Sequence, residues 1–271
     1  MKSDFFTYQA QTSTHPLALE ISHANGSYVY DTNQKAYLDF IAGVSANTLG
    51  HNHPIVSEAI KKQVDSYTHV MVYGEFIQQP QLELCKALAN TLTNEQNWSV
   101  YLTNSGTEAT EGTLKLAKRV TGRSEIIAAK NAYHGNTQGA MSVCGAEEQN
   151  RAFRPLIPGV KFIEFNNQLD IEKITTSTAA VILETIQGGA GFIEPKDNYL
   201  QRVKQRCEEA GALLILDEIQ TGIGRTGTFW GFENYKVTPD IIIAGKGLGG
   251  GMPIGAFIAS SEMMSHLKDN P

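Results

Sequence analysis

The sequence predicts a three-layer α/β/α sandwich around a mostly parallel sheet, and three observations carry that prediction. Short apolar runs at 100–102, 125–129, 179–183, 212–216, 240–244 and 254–259 read as strands, and their lack of polar alternation marks a sheet covered on both faces. Helical patterns alternate with them, as a parallel α/β topology requires. Polar or glycine-rich turns follow the strands: TNSGT at 103–107, ETIQGGAG at 184–191, DEIQTG at 217–222 and GKGLGGG at 245–251. Open sheets of this kind bind ligands at the carboxyl ends of their strands, so these four turns are expected to converge on one edge.

Taken in chain order, residues 26–40 (GSYVYDTNQKAYLDF) form two aromatic-rich runs around a polar turn at 31–34, a β-hairpin pattern. In GHNHP (50–54), Pro54 suits the first turn of a helix reaching Tyr67. A second helix is expected over 80–91, with Leu82, Leu84, Cys85 and Leu88 on its buried side. After the strand at 100–102, Ser105, Gly106 and Thr107 open a helix through Arg119. A helix at 198–210 is closed by Gly211, and the strand at 212–216 ends in Asp217.

Bulk properties narrow the function. The chain has 271 residues, 41% of them hydrophobic and 18% charged, as in a globular enzyme. Its net charge of −6, with no Lys/Arg cluster, supplies no field for nucleic acid. Cys85, Cys144 and Cys207 are widely spaced, which suits a reducing compartment better than a disulfide framework or a zinc site. There is no signal-peptide pattern, no membrane-length apolar run and no internal repeat, so the expected location is the cytoplasm.

Several residues carry possible chemistry. The helix that opens at Ser105, Gly106 and Thr107 offers free N–H groups and a partial positive charge to a phosphate. Ser and Thr are equally at home there as ordinary N-caps, which taken alone is the simpler account. Asp217 ends an aliphatic strand, where a carboxylate needs a cation or hydrogen-bond donors. A protonated pyridine nitrogen would serve, as would a buried salt bridge; a metal is disfavoured because no His or Cys lies close in sequence. Lys246 follows Ile241, Ile242, Ile243 and Ala244 and is flanked by glycines, an environment for an amine nucleophile with room for a flat group, or else a mobile loop. Tyr133, beside His134 and Gly135, has an aromatic face that can stack on a heteroaromatic ring, though a core tyrosine reads the same way. The G-x-G-x-x-G matches at 222–227 and 245–250 open no helix, so they do not indicate a dinucleotide. His51 and His53 lie on opposite sides of a loop and are a poor metal pair.

Together the motifs resemble the class-III aminotransferases, pyridoxal-phosphate enzymes of fold type I that include ornithine, acetylornithine and 4-aminobutyrate transaminases. The resemblance rests on GHNHP (50–54), SGTEA (105–109), YHG (133–135), ETIQGGAG (184–191), LDEIQTGIGRTG (216–227) and PDIIIAGKGLGGGMPIGA (239–256), in the family's order, with 29 residues from Asp217 to Lys246. It implies that Lys246 binds pyridoxal phosphate as a Schiff base and that Asp217 pairs with the ring nitrogen. It further implies that Gln220 contacts the ring's 3-oxygen and that Ile219 and Tyr133 hold the two ring faces. Ser105, Gly106 and Thr107 would hold the phosphate, with His134 and Glu184 also near the cofactor. The implied reaction is ping-pong transfer from an amine or amino acid to a 2-oxo acid, in a homodimer, with no nucleic acid, membrane or metal involved. Residues 1–45 would belong to a small domain and 46–271 to the cofactor-binding large domain, the rest of the small domain lying beyond Pro271.

Two departures bear on substrate. The family pattern E-P-x-Q-G-E-[AG]-G has a glutamate where this chain has Gly189, and a proline where it has Thr185. Donor choice is expected from pocket residues around Val44, Ser45 and Tyr73. The same cofactor residues also serve decarboxylases and aminomutases, and a catalytically silent dimerising fragment or a nicotinamide dehydrogenase are the remaining alternatives.

Overall fold

Among the described residues, ten strands, β1 (Ile21–Asn25), β2 (Tyr28–Asp31), β3 (Ala36–Leu38), β4 (Trp98–Thr103), β5 (Glu125–Ala129), β6 (Val160–Ile163), β7 (Thr178–Glu184), β8 (Leu213–Asp217), β9 (Ile241–Ala244) and β10 (Gly255–Ser260), divide into two sheets. The computed structural model describes residues 1–71, 74–92 and 96–268. Strands β1 to β3 form a small antiparallel sheet. The other seven run in the order β4-β10-β9-β8-β7-β5-β6. Pairs β5–β6, β5–β7, β7–β8 and β8–β9 are parallel, and β10 runs antiparallel to both β9 and β4. The expected mostly parallel sheet is therefore present, with one reversed strand.

Burial explains why the central strands were legible. Every residue of β7, β9 and β10 is buried, so water supplies no reason for polar alternation. One apolar cluster packs Leu200, Val203 and Cys207 of the helix Tyr199–Ala210 against Val181, Leu183, Leu214 and Leu216. The opposite cluster packs Ala109, Leu116 and Ala117 of the helix Gly106–Thr121 against Ile182, Ile215, Ile243 and Phe257. The two faces make the predicted three layers. Both helices end on a left-handed glycine, Gly122 and Gly211, whose N–H returns to the last turn.

The hairpin at 26–40 is present as β2 and β3, in register Tyr28↔Leu38, Val29↔Tyr37 and Tyr30↔Ala36. Its turn is built by Asp31, whose carboxylate accepts the N–H groups of Asn33 and Lys35 and the Tyr37 hydroxyl. The helix from Pro54 ends at Ser66, and the next spans Gln79–Ala89. Leu82 was placed on that helix's buried side, but it is exposed. Leu84, Cys85 and Leu88 cluster on one face, and two residues of helix rotate Leu82 by about 200° from Leu84, away from the core.

Two strands carried no sequence signal. Strand β6 lies at the sheet edge, where exposed Lys161 interrupts the apolar run Val160, Phe162 and Ile163 and pairs with the part-buried Glu125. Strand β1 buries almost nothing. Among the described residues all three cysteines are free, and no group of three or more His, Cys, Asp or Glu is placed to hold a metal ion. No described helix is long and apolar enough to cross a membrane.

Candidate active site

The sheet register brings the strand-end residues together. Glu184 pairs with Asp217 across β7 and β8, and Asp217 with Ile243 across β8 and β9, three residues before Lys246. Asp217 is buried, and each of its carboxylate oxygens meets one donor. Oδ2 lies 2.7 Å from His134 Nδ1, which donates to it, and Oδ1 accepts the Ile219 N–H at 2.9 Å. An ionised carboxylate has about four acceptor positions, so a further donor can still be met. His134 is equally buried, and its Nε2 meets no hydrogen-bond partner among the described residues. Its backbone N–H donates to Cys144 Sγ at 3.1 Å and its carbonyl accepts from Thr110, which fixes the imidazole from behind. Burial pushes the Cys144 thiol up, keeping it protonated and inert.

Three motifs meet around Ile219. A Cβ on Gly106 would fall 2.5 Å from Ile219 Cδ1, and a Cβ on Gly245 would lie 3.4 Å from Ile219 Cγ2 and 3.5 Å from the Gly106 Cα. The helix N-terminus, the residue two past Asp217 and the residue before Lys246 are therefore in contact. Gly106 cannot be replaced without displacing Ile219. Ser105 acts as an N-cap, its Oγ accepting the Glu108 N–H at 3.2 Å, which leaves its O–H free to donate. Thr107 Oγ1 instead faces Thr137, whose hydroxyl lies at 2.9 Å and whose N–H donates at 3.2 Å. Thr137 went unnoticed in the sequence, although it lies only four residues after Tyr133.

Glu184 proves to be a brace. One oxygen accepts the Tyr133 N–H at 3.0 Å and the other the Gly188 N–H at 2.9 Å, tying two loops to the end of β7. Burial pushes its carboxyl above the usual range. Gly188 is crowded by Gln220, whose Oε1 would lie 1.9 Å from an added Cβ, whereas Gly189 has only Tyr133 Cβ nearby at 3.6 Å. Tyr133 is 44% exposed, which leaves a ring face accessible and removes the core-tyrosine alternative. Lys246 is half-buried, at φ 41°, a conformation that costs a non-glycine residue about 1 kcal/mol. Its ammonium makes no hydrogen bond or ion pair among the described residues. Of the three residues expected to choose the donor, Ser45 accepts from Gln220 Nε2 at 3.4 Å, Val44 is exposed, and Tyr73 lies outside the described residues.

Glu218 follows Asp217 but serves the other side of the strand. Fully buried, it accepts the N–H groups of Gly231 at 2.7 Å and Phe232 at 3.0 Å, and the Thr185 hydroxyl. Burial pushes its carboxyl from 4.5 up to about 7, against those hydrogen bonds. The folded protein therefore holds this proton more tightly than the unfolded chain. The resulting stabilisation, about 3 kcal/mol, is full below the unfolded value and is lost as pH rises through the folded one. Thr185→Val removes a donor to the ionised form. It is expected to cost about 2 kcal/mol at pH 8 and clearly less at pH 5, read by urea melts. Equal losses at both pH values would contradict this arrangement.

The geometry can be set beside known proteins. The aminotransferase class-III family profile matches residues 8–270. An acetylornithine aminotransferase from Caldanaerobacter subterraneus is 41% identical over 244 residues, covering 88% of this chain and 61% of that protein. The [LysW]-aminoadipate semialdehyde/glutamate semialdehyde transaminase of Sulfolobus acidocaldarius is 39% identical, covering 93% of this chain and 64% of its own length. Among solved structures, the ornithine aminotransferase of Toxoplasma gondii superposes on all of the chain with a TM-score of 0.90 at 32% identity, matched over 66% of its own length. The chain thus spans about three-fifths to two-thirds of the relatives it matches.

Proposed function

We propose a function from one premise: the chain belongs to the class-III aminotransferase family. It is a pyridoxal-phosphate-dependent aminotransferase that takes an amino group from an amine or amino acid, of the ornithine or acetylornithine kind or another ω-amine, and passes it to a 2-oxo acid. The observation that carries this reading is the meeting of Asp217, the Gly106–Thr121 helix N-terminus and the Lys246 turn around Ile219.

The residues fit the cofactor. Gly106 and Gly245 pack directly against Ile219 with no side chain between them, and Asp217 retains acceptor capacity for a protonated ring nitrogen. When bound, pyridoxal phosphate supplies the electron sink that stabilises negative charge at the substrate carbon. Lys246 Nζ would attach the cofactor and would hold and move the proton at the substrate Cα. The His134 Nδ1–H orients Asp217, while the N–H groups of Gly106 and Thr107 receive the phosphate. Tyr133 and Ile219 would cover the ring faces, and Gln220 would face the ring oxygen. Glu184 holds the Tyr133 and Gly188 loops rather than the ring itself. Gly189 leaves open the space that a glutamate fills elsewhere in the family, which favours donors whose recognition does not need that carboxylate.

In this reading residues 1–45 are part of a small domain and 46–271 the cofactor domain. The exposed side chains of Phe40, Ile41, Leu49, Ile55 and Ile77 support pairing with a second copy, and three free cysteines support a cytoplasmic setting. The direct test is the half-reaction. The cofactor-loaded chain is mixed with acetylornithine, ornithine or 4-aminobutyrate, and the absorbance of the lysine-bound form is followed. We expect at least one donor to convert it to the amine form and 2-oxoglutarate to restore it. Carbon dioxide release without that interconversion would indicate a decarboxylase instead.

A further inference from the structure

Residues 39–51 reach the site from outside the seven-stranded sheet, and their backbone is unusual. Ala42, Gly43, Val44 and Ser45 have φ of 49°, 61°, 54° and 71°, a left-handed turn in which three of four residues carry a side chain. L-residues do not adopt such a run unaided, so neighbouring groups must impose it. Asp39 provides that constraint. Its Oδ1 accepts the N–H groups of Ile41 and Ala42 at 2.8 and 2.9 Å, and its Oδ2 accepts from His51 Nε2 at 2.7 Å. With Nε2 donating, His51 Nδ1 is left to accept from Asn47 Nδ2 at 3.4 Å. The His51 backbone is itself pinned to Gly26 by two hydrogen bonds of 2.8 and 3.0 Å.

The turn held this way touches both sides of the proposed cofactor site. Ser45 accepts from Gln220 through Oγ and from Arg225 through its carbonyl. On the other side, Thr48 Oγ1 sits where a Cβ on Gly247 would be 2.5 Å away, and Asn47 Oδ1 stands in the same relation to Gly251. Gly247 lies within the Lys246–Gly249 turn and Gly251 two residues past it, and the turn's first residue is also left-handed. Strand β9 fixes where that turn begins, but its far side rests on Asn47 and Thr48.

We propose that Asp39 and His51 are positioning residues for Lys246: their contact locks the left-handed turn, which through Asn47 and Thr48 holds the lysine turn in line with Gln220 and Asp217. The importance of this for catalysis rests on the aminotransferase reading; the mechanical coupling does not.

The test uses the whole chain with and without pyridoxal phosphate, in wild type, Asp39→Asn, His51→Ala and His51→Gln. Without cofactor, hydrogen exchange at 245–251 is expected to accelerate roughly tenfold in Asp39→Asn and His51→Ala, alongside 39–48, with β7 and β8 unchanged. With cofactor, borohydride trapping on Lys246 is expected to slow by about tenfold or more in the same two proteins. His51→Gln, whose amide can still donate to Asp39, is expected to recover most of both effects. Exchange that rises only within 39–51, or trapping that proceeds at the wild-type rate, would overturn the proposal. Should His51→Ala lose the β7 and β8 protection as well, the isosteric Asp39→Asn decides. If wild type itself fails to attach the cofactor to Lys246, the aminotransferase reading falls, and the exchange data still decide the coupling.

Discussion

Lys246→Ala is expected to remove covalent cofactor attachment altogether and to lower turnover by on the order of 10⁴-fold or more. The size follows from two losses at one atom. In the proposed reading Nζ would be both the nucleophile that attaches the cofactor and the group that moves the substrate proton, so no second residue would inherit either role. The half-buried lysine sits in a strained turn with no ion pair among the described residues, which leaves its amine uncommitted to structure. Truncating it should therefore leave the fold intact, with a melting temperature within a few degrees of wild type. The phosphate end of the cofactor would still meet the Gly106–Thr121 helix N-terminus, so weaker, non-covalent retention is expected. Absorbance of the loaded protein, borohydride trapping and stopped-flow half-reactions measure these outcomes separately. Recovery of part of the proton-transfer rate by added methylamine would assign the deficit to the missing amine. An unchanged visible band in the variant would return Lys246 to the status of a loop residue.

The parts of this site legible in the sequence were those whose chemistry conflicts with their surroundings. Asp217 and Lys246 each end an apolar strand, and a charge in that position demands an explanation even before a fold is known. Their neighbours along the sheet could be inferred too, because parallel topology sends every strand end to one edge. Residues acting through backbone contacts were less readable. Glu184 is expected near the cofactor, and its two oxygens also hold the N–H groups of Tyr133 and Gly188, a role with no sequence signature. Ser105 was ambiguous between phosphate ligand and cap; its Oγ accepts the Glu108 N–H, and its O–H remains available as a donor. The Asp39–His51 pair had no local signature, since its meaning lies in four φ angles and in contacts made about 200 residues away with Gly247 and Gly251. Strand β6 was missed for a simpler reason: an edge strand need not be apolar on both faces.

Asp217→Asn is expected to reduce kcat/KM by on the order of 10³-fold while weakening cofactor retention far less. The substitution preserves shape, and an amide oxygen facing Ile219 keeps the hydrogen bond now made by Oδ1. The other side then presents an amide N–H₂ to His134 Nδ1, replacing an acceptor with a donor. The imidazole must move its proton to Nε2, a buried atom with no acceptor among the described residues, or turn away from the amide. Either response loosens the group that holds residue 217 in line. More important, in the proposed reading a neutral amide would not stabilise a protonated ring nitrogen, so the cofactor would supply less electron-accepting power. That interaction grows as charge develops, which places the loss in the rate of the chemical step and not in binding. Stopped-flow half-reactions with a good donor, beside equilibrium titration of the cofactor, separate the two. Equal losses in affinity and rate would mean that Asp217 only anchors the cofactor. A rate within about tenfold of wild type would show that the buried carboxylate is structural and that the ring nitrogen's partner lies elsewhere.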